Sequence, residues 1–427
     1  MKKFVSIFLT IILISSSFLT IFGEENIQIT SEAAILIDYN TGKILYGKNI
    51  HKKMYPASTT KVMTALLTLE NGNLTDKITI DYDLGYIDGS SMYIKKGETF
   101  TVEELLKAML IRSANDAAVV LAKYISGSID EFVKLMNKRA KELGAKNTHF
   151  NNPNGLPDEN HYTSAYDLSL IAKEAMKHKK FREIVKTPYI KFPPTEQYPY
   201  ERFFRNSNRF LWGVGGYNTM EYKGKIVNIK YDLVDGIKTG YTSIARQCLI
   251  SSGQKDGFRL ISVVLKSEGK DVYRDSRTLL DYGFENYSLN KIINKNKIIG
   301  TKKIPFTKEK TLKYGSNNDF NIVLKKDEDI TNISTKIKLN QNINIPIKKG
   351  DIVGKIEIYQ DKKIISKINL VALNNVNSIL FNLDINKLLK KTLLILKISL
   401  KIITGLIIVC LLIRYLNKKI RKKKKLI

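Results

Sequence analysis

Strands at both ends of a helix-rich middle predict an α+β or α/β architecture for the first two thirds of the chain. Alternating β-branched residues from about Lys291 predict a small antiparallel β domain after it. An apolar stretch near the C-terminus predicts a membrane helix. The 427 residues fit two or three domains at about 150 residues each. With 43% hydrophobic and 26% charged residues, the composition excludes a disordered or collagen-like chain.

The elements follow from local pattern. Ala33–Asp38 is a short apolar strand, Asn40-Thr41-Gly42 has turn chemistry, and Ile44–Tyr46 reads as the return strand of a hairpin. Behind Pro56, Val62, Ala65, Leu66 and Leu69 recur at i, i+3, i+4 and i+7, the mark of an amphipathic helix. Thr101 and Glu104 form a capping-box pattern that opens a second helix through Leu110. Asp116–Ile125 and Ile129–Leu143, stopped by Gly144, are the third and fourth. Asn151–Asn160 is a loop rich in Pro, Gly and Asn. Asp167–His178 reads as helix and Pro188–Pro199 as irregular chain. Gln247–Ser251 and Leu260–Leu265 read as strands joined by a glycine turn, and a helix around Asp275–Tyr282 closes the region. In the β domain the strands are Ile322–Leu324, Ile337–Leu339, Ile352–Tyr359 and Ile364–Leu370, with a turn at Lys349-Gly350-Asp351.

The ends place the protein in the cell. Lys2 and Lys3, the uncharged run Phe4–Phe22 and the small residue Gly23 read as a signal peptide over residues 1–23. Ile402–Ile413 carries no charge, and the apolar stretch extends upstream to Thr392 with only Lys397 and Lys401 interrupting it. Residues 384–416 therefore read as an anchor. It is either a tilted span whose lysines snorkel, or a surface helix followed by a short insertion. The basic tail 417–427 is cytoplasmic by the positive-inside rule, which leaves the body on the outer face of the cell membrane. The net charge of +29 then reflects attraction to anionic headgroups and wall polymers, or compositional bias; export excludes nucleic acid as the partner. Cys248 and Cys410 lie too far apart in character for a structural disulfide. The four histidines show no metal-binding spacing, so no metal site is expected.

Three motifs carry chemistry. Ser58-Thr59-Thr60-Lys61 puts a hydroxyl and an amine one helical turn apart, at a helix start where backbone N–H groups and the dipole favour negative charge. The lysine can take the serine proton once burial or a second cation lowers its pKa. Ser113-Ala114-Asn115 places a hydroxyl and an amide between two helices. Lys238-Thr239-Gly240, followed by Tyr241, offers a cation, a hydroxyl and a glycine that lets a ligand approach the backbone. Taken singly, Ser-x-x-Lys recurs by chance in a Lys-rich chain, Lys-Thr-Gly reads as an ordinary turn and Ser-Ala-Asn as an ordinary cap; their order within an exported protein is what is informative.

With these motifs in this order, the chain resembles the low-molecular-mass penicillin-binding proteins, the D-alanyl-D-alanine carboxypeptidases of peptidase family S11. The resemblance runs over Pro56–Ala65, Arg112–Ala118, Asn154-Gly155-Leu156, Tyr162–Leu168 and Asp235–Thr242. It continues through Lys291–Ala372, especially Lys348–Gly354, into the C-terminal anchor. It implies a β-lactamase/transpeptidase-like α+β fold over residues 24–287, an antiparallel sheet with helices on both sides and an α-helical subregion. A β-rich domain over 288–376 follows. It also implies hydrolysis of peptidoglycan stem peptides ending in D-Ala-D-Ala through an acyl-serine, and acylation by β-lactam antibiotics. The catalytic residues would be Ser58, Lys61, Ser113 and Asn115, with Lys238, Thr239, Gly240 and Tyr241 binding substrate. Three departures stand out. Arg246 replaces a frequent glycine, Gly213–Asp232 is longer than usual, and the arginine usual near Val272 is missing, leaving Arg246 and Arg274 as candidates for the substrate carboxylate. A class A β-lactamase would need a Glu-x-x-Leu-Asn pattern between Ser113 and Lys238, which is not there. A non-catalytic wall-binding or β-lactam-sensing protein would not need the full motif set.

Overall fold

The computed structural model describes residues 27–379 and 385–423; the signal-peptide reading of residues 1–23 and the end of the basic tail lie outside them. The chain forms two compact units. One runs up to Asn290 and includes Ile322–Glu328; the other comprises Lys291–Asn321 and the chain from Asp329 onward.

The first unit opens with the hairpin β1 (Ala33–Asp38) and β2 (Ile44–Lys48). A 3-10 turn, Ala57–Thr60, leads into α1 (Lys61–Asn71). The ribbon β3 (Lys77–Thr79) and β4 (Thr99–Thr101) precedes α2 (Val102–Lys107). Its capping box is formed: the Thr101 side chain accepts from Glu104 N, and the Glu104 carboxylate accepts from Thr101 N. The helix ends in a π turn, Ala108–Arg112, before α3 (Asn115–Ser126) and α4 (Ile129–Glu142). Next come α5 (Ala165–Ala175), α6 (Lys179–Val185) and the ribbons β5 (Tyr189–Phe192)–β6 (Arg202–Arg205) and β7 (Thr219–Tyr222)–β8 (Lys225–Asn228). The long strands β9 (Val234–Thr242), β10 (Arg246–Lys255) and β11 (Phe258–Ser267) and the helix α7 (Asp271–Asn286) complete the unit.

The main sheet is antiparallel, in the order β2-β1-β11-β10-β9. All six residues of β1 are buried, which is why that strand reads as a continuous apolar run and not as an alternation. Ile35 and Ile37 join Ile261, Val263 and Ile250 in a core with the helices from α1 to α6. Ala34 and Leu36 join Leu249, Leu260 and Val264 in a second core under Leu279, Leu280 and Phe284 of α7. Helices thus cover both faces. Because β9 is the last strand in the order, one of its edges stays free of strand pairing.

The structure differs from the sequence reading in four places. Tyr189–Phe192 is a strand within the supposedly irregular Pro188–Pro199; it pairs with β6, a tertiary partner that local composition does not show. The closing helix is longer at both ends than Asp275–Tyr282, because Val272 and Phe284 add to its buried face. Lys238-Thr239-Gly240 lies inside β9. Ile322–Leu324 falls with the first unit, where Val323 joins the core of Leu36 and Leu260.

The long segment Gly213–Asp232 has a structural use. Met220 and Tyr222 are buried against the α7 side of the sheet. The Tyr222 hydroxyl donates to Asp281 Oδ2 at 2.6 Å, and Tyr231 donates to the other oxygen of that carboxylate. Asp116, in the first turn of α3, ties down the chain at Ser91–Ile94. Its carboxylate accepts from Ser91 Oγ (2.5 Å), Met92 N (3.1 Å) and Ile94 N (3.1 Å).

The strands β12 (Tyr287–Ile293) and β15 (Phe320–Lys325) form a two-stranded ribbon. The second unit holds a sheet ordered β13 (Ile298–Lys303), β14 (Thr311–Gly315), β18 (Lys363–Ala372), β17 (Ile352–Gln360) and β16 (Ile333–Leu339). Leu312, Ile356, Ile358 and Leu370 make its core. The helix α8 (Ile385–Lys423) contains a stretch, Lys390–Lys419, that is long and apolar enough to cross a membrane.

Candidate active site

Three segments far apart in sequence meet at a cleft of about 800 Å³. Ser58 comes from the 3-10 turn before α1, Ser113 and Asn115 from the junction of the π turn and α3, and Thr239, Gly240 and Tyr241 from the free edge of β9. Two residues here hold left-handed backbone although neither is glycine: Ala57 (φ 47°) and Ser113 (φ 68°). Such conformations persist only where the surroundings impose them. Packing around Ala57 is tight, since a Cβ on Gly155 would lie 2.0 Å from Ala57 O, and Gly155 itself has φ +87°. On the other side, a Cβ on Gly240 would stand 3.0 Å from both Ser58 N and Pro56 O. Glycine at these positions lets β9 and the Asn154 loop close on the Ser58 turn.

Lys61 is fully buried, and its Nζ has three neighbours: Ser58 Oγ at 2.9 Å, Asn115 Oδ1 at 2.6 Å and Asn154 O at 2.5 Å. The Asn115 amide is oriented by its other end, where Nδ2 donates to Asp88 O at 2.5 Å. Asn115 Oδ1 and the Asn154 carbonyl can only accept, so they take two N–H bonds from Lys61. The third direction, toward the Ser58 hydroxyl, carries the lone pair when the amine is neutral. Burial, then the nearby Lys238 charge, hold Lys61 well below the ordinary lysine range, with Asp116 pulling the other way.

Lys238 is also buried. Its Nζ donates to Ser113 Oγ at 3.0 Å and Thr239 O at 2.9 Å, and burial brings its pKa down to about 7. The Thr239 hydroxyl donates to Ser207 Oγ at 2.7 Å. The Tyr241 side chain is exposed, and the residue lines the cleft beside Gly240. All eight expected residues therefore gather around one cleft or directly beneath it. Among the described residues, no group of His, Cys, Asp or Glu is placed to hold a metal ion.

Sequence reasoning missed several neighbours. The Asn154 and Asp88 carbonyls are backbone groups, which residue type does not reveal. His161 lies beside Thr60 in the Ser58 turn. Its Nδ1 accepts from Asn151 N at 2.9 Å, so its Nε2 carries the proton and donates to Thr60 Oγ1 at 2.8 Å. Burial lowers its pKa to about 4, which keeps it neutral. Arg246 and Arg274 do not line the cleft; they pair with Glu268 and Asp271.

Residues 20–269 match the family described as D-alanyl-D-alanine carboxypeptidase, peptidase S11. The chain belongs to this family. It is accordingly a carboxypeptidase of the S11 serine peptidases. Residues 287–378 match the C-terminal domain of penicillin-binding protein 5. The chain is similar to D-alanyl-D-alanine carboxypeptidase DacF of Bacillus subtilis, 34% identical over 87% of this chain and 94% of the relative. It is also similar to solved structures of penicillin-binding protein 5 from Haemophilus influenzae (31% identity, TM-score 0.64, 82% of this chain and 99% of that one) and penicillin-binding protein 6B from Escherichia coli (28%, 0.60, 82% and 97%). The transpeptidase-like fold and the S11 assignment expected from the motifs both stand.

The closeness of Gly155 to Ala57 gives a test. Gly155→Ala puts a side chain on left-handed backbone and against a carbonyl. It is expected to destabilise the fold by at least about 2 kcal/mol in urea unfolding and to slow covalent labelling by a fluorescent penicillin. Wild-type values for both would show that the turn is not held as described.

Proposed function

We propose that the cleft removes the terminal D-alanine from peptidoglycan stem peptides ending in D-Ala-D-Ala, and that β-lactams acylate the same serine. The observation that carries this is the Lys61 amine, buried and directed at Ser58 Oγ by two acceptor-only partners. Ser58 Oγ attacks the carbonyl carbon of the penultimate D-alanine while Lys61 Nζ takes the hydroxyl proton. The backbone N–H groups of Ser58 and Tyr241 receive the oxyanion, each worth roughly 3–4 kcal/mol to the transition state. Gly240 supports this placement by letting β9 approach Ser58 N. The C–N bond then breaks, and Ser113, hydrogen-bonded to Lys238, relays to the leaving amine the proton that Lys61 took, so both return to their starting states. Asn115 holds Lys61 in register, and Lys238 and Thr239 face the substrate end that carries the carboxylate. Water hydrolyses the ester and returns the proton to the Ser58 oxygen. A β-lactam ring amide opens by the same attack and leaves an acyl-serine.

The protein works at the outer face of the cell membrane. An N-terminal signal exports it, α8 holds it, and the β domain acts as a spacer between membrane and wall. The apolar stretch Lys390–Lys419 supports the anchor, and the basic residues from Arg414 onward favour the cytoplasmic side.

A labelled penicillin should attach to the wild type at Ser58 and not to Ser58→Ala. Lys61→Arg should fold and yet fail to acylate, because a guanidinium does not give up its proton. An adduct on another residue, or near-wild-type acylation of Lys61→Arg, would refute these roles. For the anchor, a chain ending near Asn374 should be released in soluble, active form, while high salt should leave the full-length protein in the membrane fraction. Extraction by salt would show that charge alone holds it.

A further inference from the structure

An enzyme that selects a free C-terminus needs a cation beside the terminal carboxylate. Lys238 is poorly placed to be the sole source. Its pKa falls to about 7, and its Nζ is already bonded to Ser113 and Thr239. Lys270 lines the cleft but donates to Thr219 O at 2.8 Å. Two arginines also line the cleft, Arg112 and Arg209, and neither takes part in an ion pair among the described residues.

Their settings differ. The Arg112 guanidinium lies over the Phe204 ring at 5.6 Å, and its Nε is buried without a hydrogen-bond partner. Arg209 opens the 3-10 turn Arg209–Leu211, which Asn208 caps by accepting from Phe210 N at 3.1 Å. Its backbone N donates to the Tyr273 hydroxyl at 3.3 Å. The Arg209 charge stands near enough to the buried Tyr273 phenol to oppose the rise in that group's pKa. Tyr273 itself faces the cleft. Two residues upstream, Ser207 Oγ meets the Thr239 hydroxyl at 2.7 Å, and Ser207 N is held by Ile111 O at 3.0 Å. A fixed turn thus carries a free guanidinium beside a pair of hydroxyls on the substrate-binding strand.

The geometry points to Arg209 as the residue that binds the terminal carboxylate of the substrate, with the Ser207 and Thr239 hydroxyls as its hydrogen-bonding partners. Arg209 stays charged at every pH at which Lys61 is neutral, so carboxylate recognition does not compete with the base for a proton. The assignment rests on the acyl-serine reading of the site.

Two substrates with the same acyl part separate the effects: a peptide ending in D-Ala-D-Ala, and a thioester whose leaving thiol is neutral and has no carboxylate. Arg209→Gln should lose about 10- to 100-fold in kcat/KM on the peptide, mostly through KM, and nothing on the thioester. Arg209→Lys should recover part of the loss, and Arg246→Gln and Arg274→Gln should leave the ratio of the two substrates unchanged. Equal losses on both substrates, no loss on either, or a loss of discrimination in Arg112→Gln but not in Arg209→Gln would overturn the assignment. Mass spectrometry of the thioester adduct distinguishes the two levels. An adduct away from Ser58 overturns the acyl-serine reading and this assignment with it, whereas an adduct on Ser58 with an unchanged ratio overturns Arg209 alone.

Discussion

In the proposed acyl transfer, everything depends on one buried amine being neutral. Lys61 Nζ sits among Ser58 Oγ, Asn115 Oδ1 and Asn154 O. An ammonium there would satisfy all three neighbours as a donor and could take no proton. A neutral amine spends its two N–H bonds on the two acceptor-only groups, which leaves its lone pair for the serine. Selectivity for that state comes from burial, reinforced by a second lysine. Desolvation disfavours charge, and a nearby cation disfavours a second positive charge.

Much of the surrounding fold keeps those three neighbours in place. The Asn154 carbonyl arrives on a loop that closes against Ala57 only because Gly155 has no side chain. Asn115 is fixed through Asp88 O, and Asp116 beside it pins Ser91–Ile94. His161, kept neutral by burial, braces Thr60 in the Ser58 turn. On the far side, β9 can come up to Ser58 because it ends the sheet and carries Gly240 at the closest point. The left-handed backbone at Ala57 and Ser113 lies where these constraints converge.

What the sequence reveals and what it hides divide along physical lines. The β1–β2 hairpin, the spacing of Val62, Ala65, Leu66 and Leu69, and the Thr101–Glu104 capping box are local patterns, and the structure contains each. The strand Tyr189–Phe192 pairs across a Pro-rich loop with Arg202–Arg205, and the length of α7 depends on the core it packs against, so local composition misses both. In the site, Ser58, Lys61, Ser113 and Lys238 are legible because the proposed chemistry calls for those side chains. Asn154 O and Asp88 O are not, since every residue has a carbonyl. Arg246 and Arg274 were reasonable candidates by position along the chain. Arg209 lies outside that neighbourhood in sequence and reaches the cleft only through the turn after Ser207.

The neutral amine can be observed directly. In protein carrying 15N-labelled lysine, the Lys61 Nζ resonance, assigned by its loss in Lys61→Arg, can be followed through a pH titration by NMR. The account predicts a midpoint well below the ordinary lysine value, moving upward in Lys238→Gln as the neighbouring charge is removed. A Lys61 that stays protonated up to the ordinary lysine range would contradict it.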